Sequence, residues 1–141
     1  MPPLPHRFSF AALLLCFLLQ MQNGFAQAPL VKMWDKRFGG TDREILFDFQ
    51  QTKNEGFILA GWSNSGIGGD KTQSCYGTYD YWIVKLNKLG IKEWDKRFGN
   101  NNDDLLSRVY QTFDGGFVIA GNSSSNIGGD KSENCKGITD Y

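Results

Sequence analysis

Residues 34–38 have the sequence Trp-Asp-Lys-Arg-Phe, and the same run returns at residues 94–98. The spacing between the two runs is 94 − 34 = 60 residues. When residues 31–81 are placed over residues 91–141 without a gap, 25 of 51 positions are identical. A fixed period of this kind is typical of proteins built from structural repeats that pack on their neighbours.

The period also divides the chain into segments. After a short segment at residues 27–30, residues 31–90 are predicted to form the first repeat and residues 91–141 the second. The second repeat stops at Tyr141, at the point where the first continues into Trp82. We therefore expect this chain to be the N-terminal fragment of a longer protein.

Within each repeat the apolar residues alternate with a period of two. In residues 81–86, for example, Trp82, Val84 and Leu86 share one face of an extended strand. Short polar turns separate the predicted strands into two hairpins, and no stretch has the period of a helix. We predict an all-β protein in which each repeat of about 60 residues holds four antiparallel strands.

Two hairpins per repeat are the strand content of a β-propeller blade. Adjacent blades pack face to face, and the aromatic residues expected between the sheets are Trp34, Phe38, Phe57 and Trp82. A single blade leaves an apolar face uncovered, so we expect roughly six to eight blades in the full protein. An open β-solenoid and a two-sheet sandwich are the alternative folds.

Residues 1–26 have the features of a secretory signal peptide. Arg7 provides a positive charge, residues 8–19 are almost continuously apolar, and Gly24 and Ala26 suit the −3 and −1 positions of a cleavage site. The apolar run is shorter than the roughly 20 residues of a transmembrane helix. We expect cleavage after Ala26, a secreted or cell-surface location, and no membrane insertion after cleavage.

Cleavage changes the chemistry that the chain can perform. His6 is the only histidine and leaves with the signal peptide, which excludes a Ser-His-Asp triad and a histidine-bound zinc site from the mature segment. That segment has 14 basic residues, one fewer than the 15 of the whole chain, and 15 acidic ones, a net charge of about −1. We predict no cofactor and no nucleic-acid partner, and favour a protein that is not an enzyme.

Candidate ligand contacts are sought where the two repeats differ, because positions that are identical in both serve the scaffold. Trp62 lies at the end of a predicted strand and is replaced by Asn122 in the second repeat, so it is the candidate for binding a ligand. The alternative is that Trp62 packs under the adjacent loop. Residues 40–50 also differ from their counterparts, at every position except Leu46, and form a second candidate region.

The acidic residues are weaker candidates. Asp103 and Asp104 follow a run of asparagines and have the oxygen atoms that calcium prefers, but their spacing is not that of an EF-hand, so we favour a solvated turn. Asp70 and Asp130 follow a glycine pair in both repeats and are interpreted as residues that cap their own turns. No metal site is predicted.

Cys75 and Cys135 occupy equivalent positions in the two repeats. Exported proteins permit disulfides, yet equivalent points on adjacent blades usually lie further apart than the roughly 4.4–6.8 Å between Cα atoms that a bridge requires. We favour free thiols or partners beyond Tyr141 over a bridge between these two residues, and the pairing stays open.

The ordered set of motifs in residues 31–141 resembles a known repeat. WDKRFGG, a strand ending in Ala-Gly, the run Gly-Gly-Asp-Lys and the strand DYWIVKL followed by Asn-Lys-x-Gly are similar to the β-propeller repeat of secreted proteins from Bacteroidetes-type bacteria. The resemblance implies a protein with no assigned chemistry and often a C-terminal sorting domain for type IX secretion, which residues 31–141 do not contain. Asn100 departs from the pattern, where the first repeat has Gly40.

We therefore expect an exported, non-enzymatic β-propeller protein with a binding or surface-scaffold role. Its expected partners are a glycan or protein ligand and the remaining blades of the same chain. The alternative is the N-terminal part of a propeller glycoside hydrolase or lyase whose catalytic carboxylates lie mostly beyond Tyr141.

Export yields the first testable prediction. The mature protein should begin at Gln27 and be recovered outside the cytoplasm, because residues 1–26 have the composition that signal peptidase removes. N-terminal sequencing of the exported fraction checks this, and recovery of a chain that still begins at Met1 would contradict it.

Overall fold

The structure is a computed structural model that describes residues 29–141, so the predicted signal peptide and its cleavage site lie outside the described residues. Every strand of the described residues lies within Trp34–Tyr141, which form one compact unit. The described residues form no helix, which confirms the all-β class. The strands are β1 (Glu44–Gln51), β2 (Phe57–Ser63), β3 (Asp80–Leu86), β4 (Lys92–Phe98), β5 (Asp104–Gln111) and β6 (Phe117–Ser123).

Strands β1 to β4 form one antiparallel sheet in which each strand pairs with the next along the chain. The turn between β1 and β2 places Glu55 at a φ of 62°, and the second repeat has Gly115 there at a φ of 93°. Glycine enters this left-handed region without the steric cost of a Cβ atom. The turn of the second repeat therefore has the geometry that its sequence predicts.

The sheet is offset from the sequence repeat, because it takes β1 to β3 from the first repeat and β4 from the second. The first copy of the β4 motif, residues 34–38, forms no strand in the described chain. Its side chains nevertheless pack as in β4. The rings of Trp34 and Phe57 meet edge to face at 5.5 Å, and those of Trp94 and Phe117 do so at 6.0 Å.

Strands β5 and β6 form a second antiparallel pair with the same register as β1 and β2. Both pairs contain a β-bulge at the same place, with Phe47 as the extra residue in β1 and Ser107 in β5. After β6, an isolated bridge joins Ser123 to Asp140, which repeats the pairing that begins β3 in the first sheet. The two repeats thus share one backbone design as far as the second extends.

The main apolar core lies between the two sheets. Ile58, Ala60 and Ile83 of the first sheet cluster with Leu106 and Val109 of β5, and all five side chains are almost fully buried. A second cluster covers the opposite face of the first sheet and consists of Trp82, Val84 and Leu86 with Phe38, Phe57 and Leu59. Packing of one sheet on the next is what a repeat architecture requires.

A buried carboxylate ties the long loop after β2 to this second cluster. Asp95 accepts hydrogen bonds from the indole nitrogen of Trp82 at 3.0 Å and from the backbone nitrogen and hydroxyl of Thr72, each at 3.0 Å. Lys92 adds an ion pair at 2.8 Å. Burial alone would raise the pKa of Asp95, but the hydrogen bonds from Lys92, Thr72 and Trp82 outweigh it and lower the pKa below 3.8.

Asp95→Asn should therefore destabilise the protein in a pH-dependent way. A lowered folded-state pKa means that the stabilisation is complete above the unfolded value near 3.8 and disappears as the pH falls through the folded value. Loss of charged hydrogen bonds should reduce the free energy of unfolding by about 1–3 kcal/mol at pH 7, and the deficit should shrink toward pH 3. Urea titrations at both pH values measure this.

The matched control for this experiment is Asp42→Asn, which changes an exposed carboxylate and should leave the stability close to that of the wild type. Equal stability of the Asp95→Asn variant and the wild-type chain at pH 7 would show that the Asp95 network contributes nothing.

Candidate ligand-binding site

Three aromatic side chains meet at one end of the first sheet. Trp62 lies between Phe47, whose ring centroid is 6.2 Å away, and Tyr79, whose ring centroid is 4.5 Å away. Trp62 and Tyr79 are half-buried, and Phe47 is more than half exposed. We call Phe47, Trp62 and Tyr79 the aromatic cluster. It presents one exposed ring supported by two partly covered rings.

The three rings of the aromatic cluster are positioned by a β-bulge, by the end of a strand and by the end of a loop. Phe47 is the extra residue of the β1 bulge. A bulge changes the direction of the side chain at the extra residue relative to a regular strand. Trp62 is the penultimate residue of β2, paired with Tyr81 of β3. Tyr79 ends the long loop immediately before β3, where its backbone forms a parallel bridge with Asp103.

Every member of the aromatic cluster is replaced in the second repeat, although the backbone around it is retained. The counterparts of Phe47, Trp62 and Tyr79 are Ser107, Asn122 and Thr139. Trp62 is the predicted ligand contact and Phe47 lies in the differing region at residues 40–50, whereas Tyr79 was not predicted. A comparison of the two loops position by position would have found that residue, since it differs while the next residue, Asp80, does not.

In the described residues Trp34 is more exposed than Trp62. Trp34, expected in the core between sheets, is 37 % exposed. Trp62, expected on the surface, is half-buried because Phe47 and Tyr79 cover it. Trp62 contacts Tyr79 of the adjacent loop, and Phe47 is the more exposed ring.

The two calcium candidates have different surroundings. Asp104 is buried and accepts hydrogen bonds at 2.8 Å from the backbone nitrogen of Asn100 and from the hydroxyl of Ser125. Asp103 is half-buried beside Tyr79, and its own backbone groups bond to Ser124. Asp104 thus fixes the loop that precedes β5. No group of three or more candidate metal-ligating side chains occurs in residues 29–141.

Asp70 and Asp130 act over a longer range than the turns in which they lie. The Asp70 carboxylate accepts a hydrogen bond from the backbone nitrogen of Gly39 at 3.2 Å, and Asp130 does the same for Gly99 at 3.3 Å. In return, the Asp70 and Asp130 backbone nitrogens donate to the carbonyl groups of these glycines. Both residues therefore attach their loop to the end of the WDKRF motif.

The ion pairs of the buried Arg97 join β3 and β4 to the loop that follows β6. Its guanidinium lies 2.8 Å from Asp130 and 3.7 Å from Asp80, and stacks 3.6 Å from the ring centroid of Tyr76. Burial raises the pKa of Asp80, and the nearby Asp104 raises it further. The backbone nitrogens of Tyr76 and Gly77, which bond to Asp80, act in the opposite direction.

Cys75 and Cys135 are free thiols in equivalent environments. Cys75 Sγ donates to the carbonyl of Ser63 at 2.8 Å, and Cys135 Sγ donates to that of Ser123 at 3.0 Å. Burial is the main cause that raises the pKa of the Cys75 thiol, which makes it less nucleophilic. These contacts give both cysteines a structural role in closing their loops.

Known proteins were compared with this chain by sequence family, by curated sequence and by solved structure. No protein-family model, no curated protein and no solved structure matches this chain. Residues 29–141 contain no helix with the length and apolar character that a membrane span requires.

Proposed function

We propose that this chain is the first part of an exported, non-enzymatic β-propeller and that the aromatic cluster binds a glycan. The propeller proposal is supported by a four-stranded antiparallel meander, followed by a second sheet with the same register that packs face to face on it. Export is supported by the composition of residues 1–26.

The aromatic cluster is the observation that carries the binding proposal. An aromatic ring offers a large apolar face whose partial charge attracts the C–H groups of a sugar ring. Phe47 is more than half exposed and contacts Trp62, which in turn contacts Tyr79. Trp62 and Tyr79 add an indole N–H and a phenol as hydrogen-bonding groups. Rings that are already ordered lose little conformational entropy when a ligand binds.

The difference between the two repeats at the aromatic cluster supports a role in ligand binding over a purely structural role. The second repeat builds the same bulge and strand end with Ser107 and Asn122, so the backbone does not need aromatic residues there. Side chains that the fold does not require are available for binding. Asp103, adjacent to Tyr79 in the bridge between the two loops, is a polar neighbour for sugar hydroxyl groups.

The pair of carboxylates that meets at Gly99 does not support the hydrolase alternative. A glycosidase requires two carboxyl groups about 5–9.5 Å apart that are open to the substrate. Asp80 and Asp104 both approach Gly99, but both are buried, and internal groups of the protein donate hydrogen bonds to them.

Exchange of the cluster for the residues of the second repeat tests the proposal. The triple variant F47S/W62N/Y79T should fold, since the same backbone already carries those residues, but lose glycan binding. Truncation of a side chain that contributes to a binding site costs more than about 1 kcal/mol, so Phe47→Ala alone should weaken the affinity at least about fivefold. A glycan array identifies the ligand, and calorimetry measures the affinities.

The matched control is Phe113→Ala, which removes an almost fully exposed aromatic ring from the β5–β6 turn and should leave glycan binding unchanged. Undiminished glycan binding by the triple variant would overturn the site. Loss of a protein partner rather than a glycan in the same variant would assign the cluster to protein recognition.

A further inference from the structure

Asp103 lies beside the aromatic cluster, and its carboxylate has no partner within residues 29–141. Its backbone is fixed, because the nitrogen donates to the Ser124 hydroxyl at 3.2 Å and the carbonyl accepts from the Ser124 nitrogen at 2.9 Å. The side chain is half-buried, and no described residue forms a hydrogen bond or an ion pair with it. An unpaired charge that is partly removed from water has a free-energy cost, so a cationic ligand is favoured there.

The backbone places this carboxylate on the same side of the fold as the Tyr79 ring. Tyr79 and Asp103 are joined by a parallel bridge, at a strand spacing of about 4.8 Å. The next residues, Asp80 and Asp104, both direct their carboxylates toward Gly99, where a Cβ atom would lie 2.7 Å from Asp80 Oδ1 and 2.8 Å from Asp104 Oδ2. Successive side chains of an extended chain point to opposite faces. Tyr79 and Asp103 therefore both project to the side away from Gly99.

A carboxylate beside aromatic rings is a combination that favours a cation. The face of an aromatic ring attracts an ammonium group, most strongly when the ring is tryptophan. A carboxylate adds a charge-assisted hydrogen bond, which is roughly twice as strong as a neutral one. Phe47 is 52 % exposed and Trp62 is half-buried, so a ligand can reach both rings. The preferred ligand therefore combines apolar ring faces with an ammonium group.

The positive charge of Arg43 lies on the other side of the cluster. Arg43 has the position in the first repeat that Asp103 has in the second, and its backbone nitrogen bonds to Asn64, two residues beyond Trp62. Arg43 precedes β1 and Tyr79 precedes β3, and these two strands flank β2 at about 10 Å from each other. This separation exceeds the Debye length of roughly 8 Å at physiological salt. Arg43 therefore repels a cation held at Asp103 only weakly.

We propose that the aromatic cluster and Asp103 together bind an oligosaccharide that contains amine-bearing sugars. The proposal rests on the glycan-binding function proposed above and names the substrate class of that site. Because Phe47 and Asp103 lie at opposite ends of the cluster, one sugar unit contacts the Phe47 ring and the ammonium group of a neighbouring unit pairs with Asp103. N-acetylation of the amine removes the charge and leaves Asp103 with a neutral donor at most.

Two forms of one oligosaccharide test the proposal. A glucosamine hexamer carries free amines, and its fully N-acetylated form has the same backbone without the charges. At a mildly acidic pH, where the amines are charged, the wild type should bind the amine form at least about fivefold more tightly, as expected from the difference between a charged and a neutral hydrogen bond. Calorimetry measures both affinities, and the preference should decrease as the salt concentration rises.

Variants of Asp103 separate the effect of charge from that of ligand size. Asp103→Asn should abolish the preference for the amine form. Asp103→Arg introduces the residue that the first repeat has at this position, so the variant should fold, and it should reverse the preference. The matched control is Glu55→Gln, which removes an exposed carboxylate from the turn at the opposite end of β2 and should keep the full preference. Near-UV circular dichroism checks that each variant is folded.

The possible failures of this proposal and of the proposed function are distinguishable. Equal affinity of the wild type for the two hexamers, binding of neither, or an unchanged preference in Asp103→Asn would overturn the assignment of amine-bearing sugars. Each of these results leaves open the binding of another glycan at the aromatic cluster. Undiminished binding of both hexamers by the triple variant F47S/W62N/Y79T would overturn the glycan site itself.

Discussion

The burial of Leu106 and Val109 against Ile58 and Ala60 is the contact on which the rest of the structure depends. A two-stranded sheet is marginal in water by itself, and β5 and β6 gain their stability by lying on the first sheet. The same contact brings the loop before β5 beside the loop before β3. The aromatic cluster is therefore assembled at the place where one sheet supports the next.

Much of this architecture follows from the sequence because the side chains of a strand alternate and the motifs recur at a fixed period. Period and alternation identify the strands. They do not show where one structural unit ends and the next begins, since a sequence repeat can be divided at any point. The predicted start of the second repeat at residue 91 therefore does not reveal that β4 joins the sheet formed by β1 to β3. Only the pairing of β4 with β3 reveals the offset.

Burial is harder to infer from sequence than secondary structure, because alternation states which face a residue occupies and not what covers that face. Trp34 has the position of a core residue but lies on a face that no strand of the described chain covers fully. Trp62 has a surface position but receives neighbours from a bulge and a loop. The carboxylate of Asp70 likewise binds a backbone group 31 residues away, beyond the reach of local turn rules.

The β-bulge that carries Phe47 in one repeat and Ser107 in the other has an evolutionary consequence. A bulged residue has no direct cross-strand partner, so its identity has little effect on strand register. After duplication of the gene segment, each copy can diverge at this position without impairing folding. The bulge is therefore a position that can vary within an otherwise constrained unit.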